Sequence, residues 1–199
     1  MPAFNPSARI NMRGASVMVV DSNQQALDVM RQTLMGFGVR AVYGFEAAEP
    51  AKALFAERSL DLIIIDPLMD ERKGFDLLRW MRREESANNH AAPVIAAIGH
   101  NTMANVAASR DAGANFVVAK PLSPETLLQR IEWIARENRQ FVIAPNYAGP
   151  DRRFKNEGPP AGVEGRRSGD LPLDVPDAAE PNMSQFEVDE LLKPRKVML

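Results

Sequence analysis

Cysteine is absent from the 199 residues, which excludes disulfides and thiolate metal sites and fits a reducing compartment. Histidine is scarce: His90 and His100 form no motif with each other, and no Ser/His/Asp or metal-hydrolase arrangement accompanies them. A dedicated enzyme is therefore not expected. Long apolar runs are missing. Nothing approaches the ~18 residues of a membrane span. The first fourteen residues carry Arg9 and Arg13 but no apolar run of signal-peptide length. An excess of one charge is missing as well, the net charge being -2, which argues against bulk nucleic-acid binding through a basic surface. The expectation is a soluble, cytoplasmic chain that neither spans a membrane nor binds DNA.

What is present divides into two textures. Hydrophobic residues make up 45% of the chain, enough for a core in part of it. Eight of the 15 prolines lie after Asn138, where apolar periodicity also fades. Residues 1–14 read as a flexible N-terminus and 15–139 as one domain. Residues 140–182 read as a linker without order, and 183–199 as a short tail helix.

Residues 15–139 alternate between two periods. Ser16 to Val20 is a short apolar run suited to a buried strand. Leu27, Met30 and Leu34 then form a helical stripe that stops at Gly36-Phe37-Gly38. Strand follows at Val39–Tyr43, helix at Ala47–Glu57, and the most hydrophobic strand at Leu62–Ile65. Phe75, Leu78 and Met81 mark a third helix, Val94–Ala97 a fourth strand, Thr102–Ala112 a helix and Asn115–Ala119 a fifth strand. Ser123 caps a last helix with Pro124 at its first position and Leu127, Ile131 and Ile134 on one face. Five such units imply an α/β fold: a doubly wound parallel sheet with helices on both faces and right-handed crossovers. A site in such a sheet lies at the carboxyl ends of the strands.

Those ends carry Asp21, Asp66, Ile98-Gly99-His100 and Lys120. Two carboxylates and an ammonium converging on one rim suit a phosphoryl acceptor. An aspartate can be the nucleophile of an acyl-phosphate step, Mg²⁺ takes carboxylate oxygens, and lysine presents a compact charge to phosphate. Either acid alone is better read as a strand-end turn former, with the lysine merely solvated; the three together favour function.

Several segments carry a family resemblance. They are Val19-Val20-Asp21 before a helix ending Gly-Phe-Gly, Leu62 to Asp66 with Gly74 eight residues on, Ala92 to Ala96, Asp111 to Ala114, and Ala119 to Glu125. Over about residues 15–139 the chain resembles a response-regulator receiver domain of the chemotaxis-regulator type. The resemblance implies a flavodoxin-like strand order 2-1-3-4-5 and phosphotransfer from a histidine kinase or phosphotransfer protein to Asp66. It also implies Mg²⁺ held by Asp21, Asp66 and the backbone carbonyl of Leu68, Lys120 against the phosphate, and a cis Lys120-Pro121 bond.

Three positions depart from the family pattern. Ser22 stands where a second acid normally ligates the metal, so weak Mg²⁺ binding is expected. Ser22 would act through its hydroxyl or a water, unless Asp70 or Glu71 reaches in from the next loop. Ile98 replaces the Thr or Ser of strand four, and Val117 the aromatic of strand five; alternation turns the adjacent Phe116 to the other face. Both parts of the usual switch are thus degenerate. One reading keeps phosphorylation of Asp66, with output through contact to a downstream protein. The other is a degenerate receiver that serves as a phosphorylation-independent adaptor or an effector of cyclic di-GMP. For the latter Arg152, Arg153, Arg166 and Arg167 would supply guanidinium forks; a solvated linker is the plainer reading of the same arginines.

In the tail, Ser184 and Glu187 have capping-box spacing, and Val188, Leu191 and Leu192 form an apolar stripe. A short helix that orders on a partner is expected. Over nine residues the segment is similar to the N-terminal peptide of the flagellar motor switch protein. That similarity implies docking on a receiver's face, in cis or in trans.

Overall fold

The computed structural model describes residues 11–84, 88–136, 139–152, 184–186 and 188. Five parallel strands, β1 (Ser16–Val20), β2 (Ala41–Phe45), β3 (Leu62–Ile65), β4 (Val94–Ile98) and β5 (Phe116–Ala119), form one sheet in the order β2-β1-β3-β4-β5. Helices α1 (Gln24–Gly36), α2 (Ala48–Glu57), α3 (Met69–Arg83), α4 (Met103–Asp111) and α5 (Pro124–Arg136) follow the strands in turn. This is the flavodoxin-like architecture expected.

The alternation of strand side chains builds two cores. Met18, Val20, Ile63, Ile65, Val94, Ala96, Ile98 and Val117 face α2, α3 and α4, meeting Phe55, Leu77, Leu78 and Val106. Val17, Val19, Leu62, Ile64, Ile95, Ala97 and Val118 face α1 and α5, meeting Leu27, Leu34, Leu127 and Ile131. Because the sheet is covered on both sides, its strands are continuously apolar rather than alternating with polar residues. Phe116 falls in the second core, edge-on to Trp133 with ring centroids 5.4 Å apart, so it does not replace the aromatic missing at Val117.

Helix starts follow local chemistry. The Asn23 side chain accepts from the Ala26 N–H at 3.1 Å and Thr102 from the Asn105 N–H at 3.2 Å, each satisfying a first-turn donor. The second strand lies two residues later than Val39–Tyr43. Val39 is taken up by the turn after α1, where its N–H donates to the Leu34 carbonyl at 3.1 Å.

The expectation of an unordered linker from residue 140 is corrected over its first residues. β6 (Phe141–Ala144) and β7 (Tyr147–Pro150) form an antiparallel hairpin outside the main sheet. It packs at the amino end of the parallel strands. Gly113, with φ +100°, leaves room there for the Ala148 carbonyl, which a Cβ would approach to 2.4 Å. Beneath the hairpin lies Arg82, fully buried. Its Nε donates to the Gly113 carbonyl at 2.9 Å, and Nη1 to the carbonyls of His90 at 2.8 Å and Ala92 at 2.6 Å. Nη2 donates to Asn115 Oδ1 at 2.9 Å. Burial lowers the Arg82 pKa to about 10, which leaves the guanidinium charged at neutral pH. Prolines misdirected the sequence reading here: Pro145 sits in the turn and Pro150 at the strand end, where a ring is tolerated.

Candidate functional site

The register of the sheet brings the three expected residues together. The Asp66 N–H donates to the Val20 carbonyl at 2.9 Å and the Lys120 N–H to the Ile98 carbonyl at 2.8 Å, so both side chains leave from the carboxyl rim. Lys120 Nζ donates to Asp66 Oδ2 at 2.6 Å and to Asp21 Oδ2 at 2.5 Å. The second oxygen of each carboxylate is held by backbone: Asp21 Oδ1 accepts from the Asn23 N–H at 2.9 Å and Asp66 Oδ1 from the Leu68 N–H at 2.8 Å. One ammonium thus stands between two carboxylates in a partly buried rim, where attraction is stronger than in bulk water.

Gly74 explains how α3 comes so close to this rim. A Cβ there would meet the Asp66 carbonyl oxygen at 2.4 Å and Pro67 Cα at 2.6 Å, so only glycine lets the helix pack on the backbone of the acceptor. The Lys120-Pro121 peptide is cis, as the resemblance implied.

The other expected residues are placed as follows. Ser22 is exposed, directly beyond Asp21. The Leu68 carbonyl accepts a long bond, 3.4 Å, from the Arg72 N–H, which leaves it a second lone pair. Asp70 and Glu71 are exposed and lie with Arg72 in a left-handed stretch opening α3, at φ 46°, 53° and 77°. Among the described residues no group of three or more acids or histidines is positioned to hold a metal ion. The remaining donors, two carboxylates, a carbonyl and a hydroxyl, are all oxygen and fit Mg²⁺ in kind, with one carboxylate fewer than the family pattern. Ile98 and Val117 are fully buried in the α4-side core and offer no hydroxyl to the rim.

A match to the response regulator receiver domain covers residues 17–132, more than half of the chain. The chain belongs to the response regulator receiver family. The receiver is 30% identical over 129 residues to the transcriptional regulatory protein GltR of Pseudomonas aeruginosa, a match covering 64% of this chain and 51% of GltR. It is 30% identical over 138 residues to the virulence sensor protein BvgS of Bordetella pertussis, covering 67% of this chain and 11% of BvgS. The chain therefore spans about half the length of the first relative and a tenth of the second. Among solved structures, the receiver domain of the histidine kinase CKI1 of Arabidopsis thaliana complexed with Mg²⁺ is 27% identical. The TM-score is 0.56 over 62% of this chain and 93% of that one. Its complex with Mg²⁺ and BeF₃⁻ aligns with a TM-score of 0.57 at 26% identity, over 63% and 93%. The domain is thus of the type shared by response regulators and histidine kinases in two-component signalling. No helix among its described residues is long and apolar enough to cross a membrane.

Of the four arginines considered for nucleotide contact, Arg152 is the one among the described residues. Arg152 does not lie in a free linker: it stacks on Tyr147 with its guanidinium carbon 3.9 Å from the ring centroid, and pairs with Asp111 at 2.9 Å. Arg153, Arg166 and Arg167 lie outside the described residues, as do Leu191 and Leu192. Val188 is fully buried in the α4-side core. Gln185, which the tail's apolar stripe had not included, bonds β5: its Oε1 accepts from the Ala119 N–H at 2.7 Å and its Nε2 donates to the Val117 carbonyl at 3.4 Å. The spacing held the signal, since Gln185 precedes Val188 by three residues and shares its helical face.

Proposed function

We propose that the receiver accepts a phosphoryl group on Asp66 from the phosphohistidine of a kinase or phosphotransfer protein and passes the signal on by protein contact. The observation that carries this reading is the single ammonium of Lys120 joined to both Asp66 and Asp21 at the carboxyl rim. An Asp66 carboxylate oxygen attacks phosphorus; the new O–P bond forms as the N–P bond breaks, and the electron pair stays on the departing imidazole nitrogen. The Leu68 N–H orients the nucleophile, and Lys120 balances the added negative charge while Asp21 steadies Lys120. Asp21, Asp66, the Leu68 carbonyl and Ser22, through its hydroxyl or a water, would hold Mg²⁺. Bound there, the ion supplies positive charge to the phosphoryl oxygens.

The test is intact mass after incubation with acetyl phosphate and Mg²⁺. The native chain gains the ~80 Da of one phosphoryl group and Asp66→Asn gains none. A gain that persists in the variant moves the acceptor elsewhere. A second reading is favoured by one observation, that Ile98 and Val117 are buried aliphatics without a hydroxyl. In that reading the receiver is an adaptor whose contacts do not depend on phosphorylation, and the native chain itself shows no gain.

A further inference from the structure

β5 ends the sheet, so among the described residues one side of it meets no strand. The Lys120 N–H points to β4. By strand alternation, the Ala119 N–H and the Val117 carbonyl point the other way. The carboxamide of Gln185 satisfies both, giving one donor and one acceptor as a residue of a sixth strand would. The chain then makes a helical turn, the Val188 N–H donating to the Ser184 carbonyl at 3.1 Å. The turn sets Val188, at 0% exposure, into the core that contains Ile98, Val106 and Val117. Phe186 is left 70% exposed. The segment thus combines an edge-pairing amide with an apolar plug three residues later.

We propose that the outer edge of β5, with the apolar face beside α4, is a docking site for a helical turn of the pattern Gln-x-x-Val, and that the chain's own Ser184–Val188 is its resident occupant in cis. The fitting partner is a protein segment with the same chemistry, a primary carboxamide followed three residues on by a branched aliphatic. Such a segment binds by displacing the tail. Chain length supports cis occupancy: about thirty residues separate Arg152 from Ser184, and an extended chain covers ~3.3 Å per residue, more than the height of the domain. Tethering holds the tail at an effective concentration on the order of mM, so it outcompetes a free segment of equal affinity. The inference does not depend on phosphoryl acceptance by Asp66.

The test uses a fluorescent peptide of residues 183–199, titrated against the full chain, a chain ending at Asn182, and full-length Gln185→Ala. The truncated chain binds the peptide at least tenfold more tightly than the full chain does, and Gln185→Ala also binds more tightly than the full chain. A peptide carrying Val188→Asp binds none of them. The Ala119 amide exchanges at least tenfold faster in the truncated chain and in Gln185→Ala. Should truncation unfold the domain, Gln185→Ala, which alters one partly exposed polar side chain, decides alone. Equal peptide affinities with unchanged Ala119 exchange overturn the proposal. A full chain that sediments as a dimer, and becomes monomeric on truncation, assigns the occupant to a second copy and overturns the cis assignment.

Discussion

Replacing the Ser22 hydroxyl by a carboxylate would put a second negative group directly beyond Asp21, on the side of the rim that faces solvent. A unit charge ~4 Å from another contributes ~4 kcal/mol at an effective dielectric of ~20, much of it offset by solvation. Ser22→Asp is expected to tighten Mg²⁺ binding at least tenfold, about 1.4 kcal/mol, by calorimetric titration. Equal affinities would mean that another oxygen already fills the ligand position. Asp21, Asp66 and Lys120 were legible because each ends a strongly apolar run, and the end of a parallel strand is where a site forms. Arg82 and Gln185 were not. Arg82 sits four residues after Leu78 and seven after Phe75, on the buried stripe of α3, where a charge reads as a surface residue until four acceptors are found around it.

Among the elements, the five strands and five helices of the receiver were readable from period alone, to within two residues at most ends. The β6–β7 hairpin was not, although Phe141, Val142, Ile143 and Tyr147 favour strands and Pro145-Asn146 favours a turn. Two strands of four residues are marginal by themselves. What holds this pair is tertiary: Arg83 Nη2 donates to the Pro145 carbonyl at 2.7 Å, Arg152 lies over Tyr147, and Gly113 admits Ala148. Tyr147 is bound into the same element, its hydroxyl donating to the Pro150 carbonyl at 2.7 Å, and burial raises its pKa above 10. A raised phenol pKa means that the folded form retains its proton more firmly than the unfolded chain. The associated stability is full below pH ~10 and is lost as pH rises through the folded value. Absorbance titration of the phenolates should show a component above the ordinary range that Tyr147→Phe removes, and the variant should lose less stability than the native chain over that window. A high-pH component that survives Tyr147→Phe would show that the raised phenol is not Tyr147.

Over the molecule as a whole, the two ends of the sheet have different occupants. The carboxyl rim holds Asp21, Asp66 and Lys120; the amino end is closed by the hairpin over Arg82. The family match stops at residue 132, but the packed unit continues through Pro150. A protease reads that difference directly. Trypsin needs several residues of backbone to leave the fold before it can cut, so sites inside a packed unit are reached only by local opening. Arg139 donates to the Asn115 carbonyl at 2.9 Å, and Arg136 ends α5 just before the hairpin. Brief trypsin treatment should leave a core fragment whose carboxyl terminus lies beyond Pro150, while a first product ending at Arg136 or Arg139 would place the hairpin outside the packed unit. A cut at either arginine would free the hairpin and admit water to a guanidinium whose partners among the described residues are three backbone carbonyls and the Asn115 amide oxygen. The early nick would then be followed by digestion of α3 and β4, whose ends Arg82 ties together, and no stable shorter fragment should accumulate.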